Sequence, residues 1–358
     1  MKDVAKKIIS YFSPSYSYVI LFVTQRCNAR CKTCFSWKTD PQKLKNELSI
    51  DEYEKITSKM RDFVWLSIGG GEPFLREDIA EIVNLFHKNC SVSAFTITTN
   101  CLQPEKTAEK VEQILKRNNN ADIKIVLSVD GTEEVHDSIR GIEGNFKKFV
   151  ETYSLLYPLK RNFPNLFLFT NTTFCRDNQH NIDELLDYLN SNFHFDGNTM
   201  GLVRGDARIP SQKDIDIELY FNAIEKIRSL ERETKEIGKF NNIVFDMMTD
   251  VNKRTLLERK MILPCVAGKK AITIDSDGTV LPCEMMPQLF PNEDWKLGDL
   301  RSFDYDIDAL LSSEKSKMLI KRIQDMKCHC TFECYNLCNV VFNYNSGFKI
   351  LWRYLTGA

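Results

Sequence analysis

Three cysteines, Cys27, Cys31 and Cys34, lie on one short stretch that reads Cys-Asn-Ala-Arg-Cys-Lys-Thr-Cys. Thiolates are the usual ligands of iron–sulfur clusters. Three of them leave one iron of a 4Fe–4S cubane without a protein partner, an open position of the kind catalytic metal sites keep. An amino acid chelating through its amine and carboxylate would fill that position. Zinc is a competing reading, but a structural zinc site takes four ligands in paired short spacings, and no fourth is near in the sequence. A redox pair at Cys31 and Cys34 is the plainer alternative. Six more cysteines, Cys265, Cys283, Cys328, Cys330, Cys334 and Cys338, crowd the C-terminal third. Zinc, with His329 as a ligand, competes with iron–sulfur chemistry there as well. Cys90, Cys101 and Cys175 read as ordinary packed thiols.

Regular elements must hold the first loop in place. Short β-rich runs start near Tyr18, Phe63, Val92, Ile123, Leu166 and Asn198, and four of the five intervals between them carry a helical pattern. Ser49 and Glu52 form a capping box ahead of one helix, and Pro104 suits the first turn of another. Six β/α units with short links imply a parallel sheet covered by helices. Six is too few for a closed eight-fold barrel, so the fold class is α/β, a partial (β/α)6 TIM-like barrel. In such folds the active site lies at the C-terminal ends of the strands. Cys27, Gly70, Asn100 and Asp130 each follow one of the first four runs and so meet at that end.

The domain boundaries expected are an N-terminal segment over 1–17, the barrel over 18–205, a charged helical connector over 206–260, a small cysteine-rich domain over 261–343 and an amphipathic tail over 344–358. In the cysteine-rich domain, β-like runs at Ala271–Ile274 and Val280–Leu281 flank a turn at Asp277-Gly278. The tail, with Phe348, Leu351, Trp352 and Leu355, is expected to dock on the protein in preference to a membrane.

Composition narrows the partners. Lys plus Arg number 48 against 49 Asp plus Glu, for a net charge of −1 over 358 residues. No basic run points to nucleic acid. The apolar stretch Tyr18–Val23 is too short for a signal core, and no run is long enough to span a bilayer. A cytoplasmic protein is expected. Disulfides are rare in that compartment, so twelve cysteines favour metal binding.

The Cys-x3-Cys-x2-Cys spacing after a first strand resembles the radical S-adenosylmethionine (SAM) superfamily, and further motifs follow in its order. Gly70-Gly71-Glu72-Pro73 resembles the Gly-Gly-Glu motif that meets the methionyl amino group of SAM. A side chain at Gly71 is therefore expected to intrude on SAM while leaving the cluster intact. Ser128-Val129-Asp130-Gly131, with His136-Asp137 and Arg140-Gly141, resembles a run found in members with a C-terminal SPASM or twitch domain. The resemblance implies SAM contacts from Ser128 and Asp130, with Arg140 pairing the SAM carboxylate; His136 is expected to hold local structure. Thr99-Asn100 resembles a Thr-Asn-Gly motif, with Cys101 in place of the glycine, and Asn100 joins the cofactor set. Leu202 and Val203 fall where the family cradles adenine. An ordinary turn at Gly69–Gly71, a solvated Arg140 and apolar packing at Leu202 are the alternatives. The usual aromatic residue before the third cysteine is replaced by Thr33, and Phe35 is the candidate substitute.

Cys265 followed by Gly278-Thr-Val-Leu-Pro-Cys283 resembles the start of a SPASM or twitch domain. Two auxiliary clusters would need eight ligands, and only six cysteines are present, so the expectation is one auxiliary 4Fe–4S cluster. Cys265, Cys283, Cys330 and Cys334 are its favoured ligands, with Cys328 or Cys338 as substitutes. The implied activity is reductive cleavage of SAM to a 5′-deoxyadenosyl radical, which abstracts hydrogen from a substrate. An electron donor such as flavodoxin or ferredoxin is the implied partner. The substrate is not legible: a sugar, small metabolite, lipid-linked molecule or peptide all remain, as do dehydrogenation, epimerisation and bond formation. Phe163 to Phe169, Arg204, Asp206 and Arg208 are candidates for a substrate space, against packed strand and solvated charge. A non-catalytic iron–sulfur carrier or zinc-stabilised binding module is the alternative function.

Overall fold

The computed structural model describes residues 16–234 and 239–356, so almost all of the segment expected over 1–17 lies outside the described residues. Six strands form the barrel wall: β1 (Tyr18–Thr24), β2 (Trp65–Gly70), β3 (Ala94–Thr99), β4 (Asp122–Ser128), β5 (Leu166–Phe174) and β6 (Gly197–Leu202). Each pairs in parallel with its sequence neighbour, in the order β6-β5-β4-β3-β2-β1. The fold is thus the partial barrel expected, and helices occupy all five intervals between its strands.

The two faces of each strand differ in chemistry, as the period of two requires. On β2, Leu66 and Ile68 are fully buried under helices, while Trp65 and Ser67 face inward and stay partly exposed. The covering helices Ile79–Cys90 and Pro104–Arg117 supply Ile82, Val83 and Phe86 and then Val111, Ile114 and Leu115 to that outer core. The capping box at Ser49 is present, with Ser49 N–H donating to Glu52 at 2.9 Å and Glu52 N–H donating to Ser49 Oγ at 3.3 Å.

The cysteine-rich region continues the same sheet. β7 (Ala271–Ile274) runs parallel to β1, matching Tyr18 with Ala271 through Leu21 with Ile274. β8 (Thr279–Leu281) and β9 (Gly298–Asp299) then add antiparallel, making nine strands. Side chains reinforce the junction: Arg301 Nε donates to Glu52 at 2.6 Å, and the Tyr305 hydroxyl donates to the same carboxylate at 3.1 Å. The connector forms two helices, Ile217–Thr234 and Lys239–Glu258. The tail is helical over Tyr344–Thr356; it buries Ser346 and Ile350 and leaves Phe348, Leu351, Trp352 and Leu355 exposed. Among the described residues no helix is long and apolar enough to cross a membrane.

Candidate active site

The chain leaves β1 at Thr24 and turns through the cysteine loop at the C-terminal end of the sheet. That loop is braced from three sides. Arg30 and Lys32 N–H groups donate to the Arg140 and Ile139 carbonyls at 3.1 and 2.8 Å. Arg208 and Ile209 N–H groups donate to the Cys34 and Lys32 carbonyls at 3.0 and 2.9 Å. From β2, Gly71 and Glu72 N–H groups donate to the Thr24 and Arg26 carbonyls at 2.7 and 2.8 Å. Six backbone hydrogen bonds thus hold the loop against its neighbours.

Cys27, Cys31 and Cys34 all face one cavity of about 550 Å³. None is in a disulfide; Cys27 is exposed and the other two are half-buried. Burial pushes the Cys34 thiol up to about 11, and neighbouring Cys31 adds to the effect. Local desolvation of its sulfur likewise raises the Cys27 thiol, although the residue as a whole stays exposed. A cationic metal centre would reverse both shifts, because coordination deprotonates a thiol. Among the described residues no group of three or more His, Cys, Asp or Glu is gathered to hold a single metal ion. The three loop thiols suit a cluster, in which each thiolate would take its own iron.

The same cavity is lined by Gly70, Gly71, Glu72, Pro73, Asn100, Ser128, Arg140, Leu202 and Val203. Nine of the ten residues expected around SAM thus meet the three cysteines. Phe35 lines the cavity too, as does Thr33 before the third cysteine. Asn100 Nδ2 donates to Asn28 at 2.8 Å and lies 3.8 Å from Cys27 Sγ. Cys101, where the resembling motif has glycine, adopts φ +64, the left-handed conformation that glycine enters most easily.

Three of the expected residues make contacts that their spacing did not show. Asp130 does not line the cavity; fully buried, it holds Arg140 Nε at 2.7 Å and accepts from Thr173 N–H at 2.8 Å. Arg140 in turn reaches Cys31 Sγ with Nη1 at 3.8 Å, while its Nε pairs with Asp130. Burial opposes its charge, and Asp130 followed by Cys31 raises its hold on the proton above the ordinary value. Gly71 does not open onto the cavity through its missing side chain: a Cβ there would stand 2.0 Å from the Arg26 carbonyl oxygen. The absence of a side chain lets one loop pack closely on the other. Glu72 is also engaged, with its carboxylate accepting from Phe74 N–H, Thr99 Oγ and Asn100 N–H at 3.2, 3.1 and 2.7 Å.

His136 Nδ1 accepts from Asp130 N–H at 3.0 Å, and burial, then Arg140, pushes its imidazole down to about 3, so it is a neutral structural acceptor. Phe169, Arg204 and Arg208 line the cavity, whereas Phe163 and Asp206 do not; Asp206 is paired with Lys38 at 2.6 Å. Lys124 of β4, passed over in the sequence, lines it as well. The available signal was a lone cation at an inward position between Ile123 and Ile125.

The C-terminal cysteines divide. Cys265, Cys283, Cys328 and Cys330 line a second, small cavity of about 20 Å³ together with Tyr335 and Asn339. Burial pushes Cys265 up to about 12 and Cys328 up to about 11. Cys334, expected among the ligands, instead lines the large cavity next to the Tyr18 hydroxyl. Cys338 is buried, which raises its thiol, with Cys334 and Cys265 as its neighbouring thiols. His329 is exposed.

Comparison with known proteins agrees with this geometry. Residues 21–189 match the model of the radical SAM superfamily, and residues 265–338 match the SPASM iron–sulfur cluster-binding domain. Among curated proteins, the chain is 28% identical over 170 residues to the GTP 3′,8-cyclase of Mannheimia succiniciproducens, covering 44% of this chain and 49% of that one. It is 24% identical over 274 residues to the subtilosin biosynthesis protein AlbA of Bacillus subtilis, covering 75% and 55%. The chain spans about half the length of the curated relatives it matches. In fold it is similar to Streptococcus suis SuiB bound to S-adenosylmethionine, with a TM-score of 0.59, 20% identity and coverage of 89% and 71%. It is also similar to anSMEcpe with bound AdoMet and the Cp18Cys peptide, with a TM-score of 0.55, 16% identity and coverage of 95% and 98%.

Proposed function

Because this chain belongs to the radical SAM superfamily and carries a SPASM domain, we propose that it is an enzyme that cleaves SAM reductively and abstracts a hydrogen atom from a substrate held in the same cavity. The observation that carries the proposal is one cavity faced both by the three loop thiols and by the ends of all six barrel strands. When bound, the cluster and SAM supply the one-electron cleavage that generates the 5′-deoxyadenosyl radical.

The chain's own residues bind, orient and shield. Cys27, Cys31 and Cys34 would hold the SAM-binding cluster, on a loop braced by backbone hydrogen bonds. The backbone of Gly70 to Pro73 and the Asn100 and Ser128 side chains present polar groups to the amino-acid end of SAM. Leu202 and Val203 offer an apolar shelf to its adenine, and Phe35 adds an aromatic face. Arg140 lies beside Cys31 and adds positive charge near the cluster, steadied by Asp130. The barrel wall and the helices below it exclude water from the radical step.

For the auxiliary site we assign one 4Fe–4S cluster to Cys265, Cys283, Cys328 and Cys330, which share a cavity. This replaces Cys334 by Cys328 in the set favoured by spacing. The substrate class extends to a peptide: SuiB has been solved with its precursor peptide and anSMEcpe with peptides. A one-electron donor such as flavodoxin or ferredoxin would serve the first cluster.

The test is anaerobic reconstitution followed by reduction in the presence of SAM. Wild type should release 5′-deoxyadenosine, and the Cys27→Ala/Cys31→Ala/Cys34→Ala variant should release none while keeping its auxiliary iron. Equal product from both proteins would overturn the proposal.

A further inference from the structure

The inward faces of the lower barrel strands are mostly aromatic or uncharged polar, with one cation among them. Lys124 sits on β4, four residues before Ser128, and reaches the same cavity. At roughly 3.3 Å per strand residue, its level is about 13 Å below that of Ser128. Its ammonium lies 3.9 Å from the centroid of Phe169 and 5.8 Å from that of Trp65. Aromatic faces stabilise a cation electrostatically, but they accept none of its three N–H bonds as an oxygen would.

The ammonium has no hydrogen-bond or ion-pair partner among the described residues. The carboxylates nearest to it are engaged elsewhere. Asp196 is held by Lys160 at 2.6 Å and by Leu168 N–H at 2.7 Å, and Glu231 is paired with Arg228. Asp122, two positions earlier on β4, also raises the Lys124 proton affinity through its charge. Burial lowers the Lys124 proton affinity, and these acidic groups restore it in part. Glu231 lines the same cavity but is paired with Arg228, and a cation held there without a directly bonded counter-charge is costly, a cost that falls when an anion is bound beside it. Ser67, Thr96 and Asn198 line the wall around it and supply further hydrogen-bonding groups to an oxyanion.

We propose that Lys124 anchors the substrate, and that the substrate carries an anionic group, a carboxylate or a phosphate, at the end that enters the barrel. The anchor fixes how deep the substrate sits, and so which carbon is presented to the radical near the strand ends. This inference rests on the reading of the cavity as the chamber shared by SAM and substrate.

The test uses reconstituted holoprotein with SAM bound, titrated calorimetrically with inorganic phosphate and, separately, with acetate. Wild type should bind at least one of them, and which one distinguishes a phosphorylated from a carboxylated substrate. Lys124→Met should weaken that binding at least tenfold, Lys124→Arg should retain it, and SAM affinity should stay within twofold in both variants. Wild type that binds neither anion, or binding unchanged in Lys124→Met, overturns the anchor. If wild type cleaves SAM normally while either of those results holds, only this inference fails. If it neither binds nor cleaves SAM, the proposed function itself fails.

Discussion

The Gly71 Cα and the Arg26 carbonyl are packed so closely that an added Cβ would stand 2.0 Å from the carbonyl oxygen and 2.5 Å from its carbon. The obstacle is backbone, which cannot swing aside as a flexible side chain does. Gly71→Val therefore forces the cysteine loop itself to move. The expected result is loss of the first cluster together with SAM binding. Iron content should fall from about eight to about four per chain, and calorimetry should show no SAM heat. Retained iron with only weakened SAM binding would return Gly71 to the role its motif suggests.

The buried pair Asp130–Arg140 makes a separate prediction, on stability. Removing one partner of a buried ion pair leaves an uncompensated charge and costs about 3–5 kcal/mol. Asp130→Asn should show a loss of that size in denaturant unfolding, since Asp130 is fully buried. Asp130→Asn/Arg140→Met, which removes both charges, should recover most of it. A double variant as unstable as the single one would mean that packing, not charge, is at stake.

These two cases mark where the sequence stops being informative. The cysteine loop and strand starts were legible because each is local: thiol spacing and runs of two-residue period lie within a few positions. Even there, the runs at Phe63 and Val92 begin slightly before the paired strands at Trp65 and Ala94, since hydrophobicity precedes pairing. The Gly71–Arg26 packing, the Asp130–Arg140 pair and the junction of β7 with β1 depend on residues brought together only by the fold. Ala271–Ile274 reads as a strand from its own residues, but nothing in those four residues names Tyr18–Leu21 as the partner. Lys124 was missed because a single lysine in a strand carries no direction until the inward face of that strand is known.

The assignment of the auxiliary cluster predicts which cysteines matter. Cys328→Ser and Cys330→Ser should each lower iron from about eight to about four per chain, because either removes one of four thiolates. Cys334→Ser, on the wall of the large cavity, should leave iron near eight. Iron and sulfide analysis with Mössbauer spectroscopy separates these outcomes. Loss of iron in Cys334→Ser would restore the set favoured by spacing. A wild-type value near twelve would require two auxiliary clusters with ligands other than cysteine.

The junction between barrel and auxiliary domain has its own pH signature through Glu52. Burial alone would push this carboxyl up, but hydrogen bonds from Arg301 and from Ser49 N–H, with the charge of Arg301, bring it down from 4.5 to about 2. A carboxyl with a depressed folded-state value binds its proton more readily when unfolded. Its contribution to stability is therefore fully present above about 4.5 and is lost as the pH falls toward 2. Glu52→Gln should lower the unfolding midpoint at pH 7, where Arg301 loses its 2.6 Å partner. Between pH 6 and pH 3.5 the gap between variant and wild type should start to narrow, because only wild type gives up this contribution. Thermal unfolding of both proteins across that range checks the sign. A gap that widens as the pH falls would show that Glu52 is not ionised at the junction and that its role there is neutral hydrogen bonding.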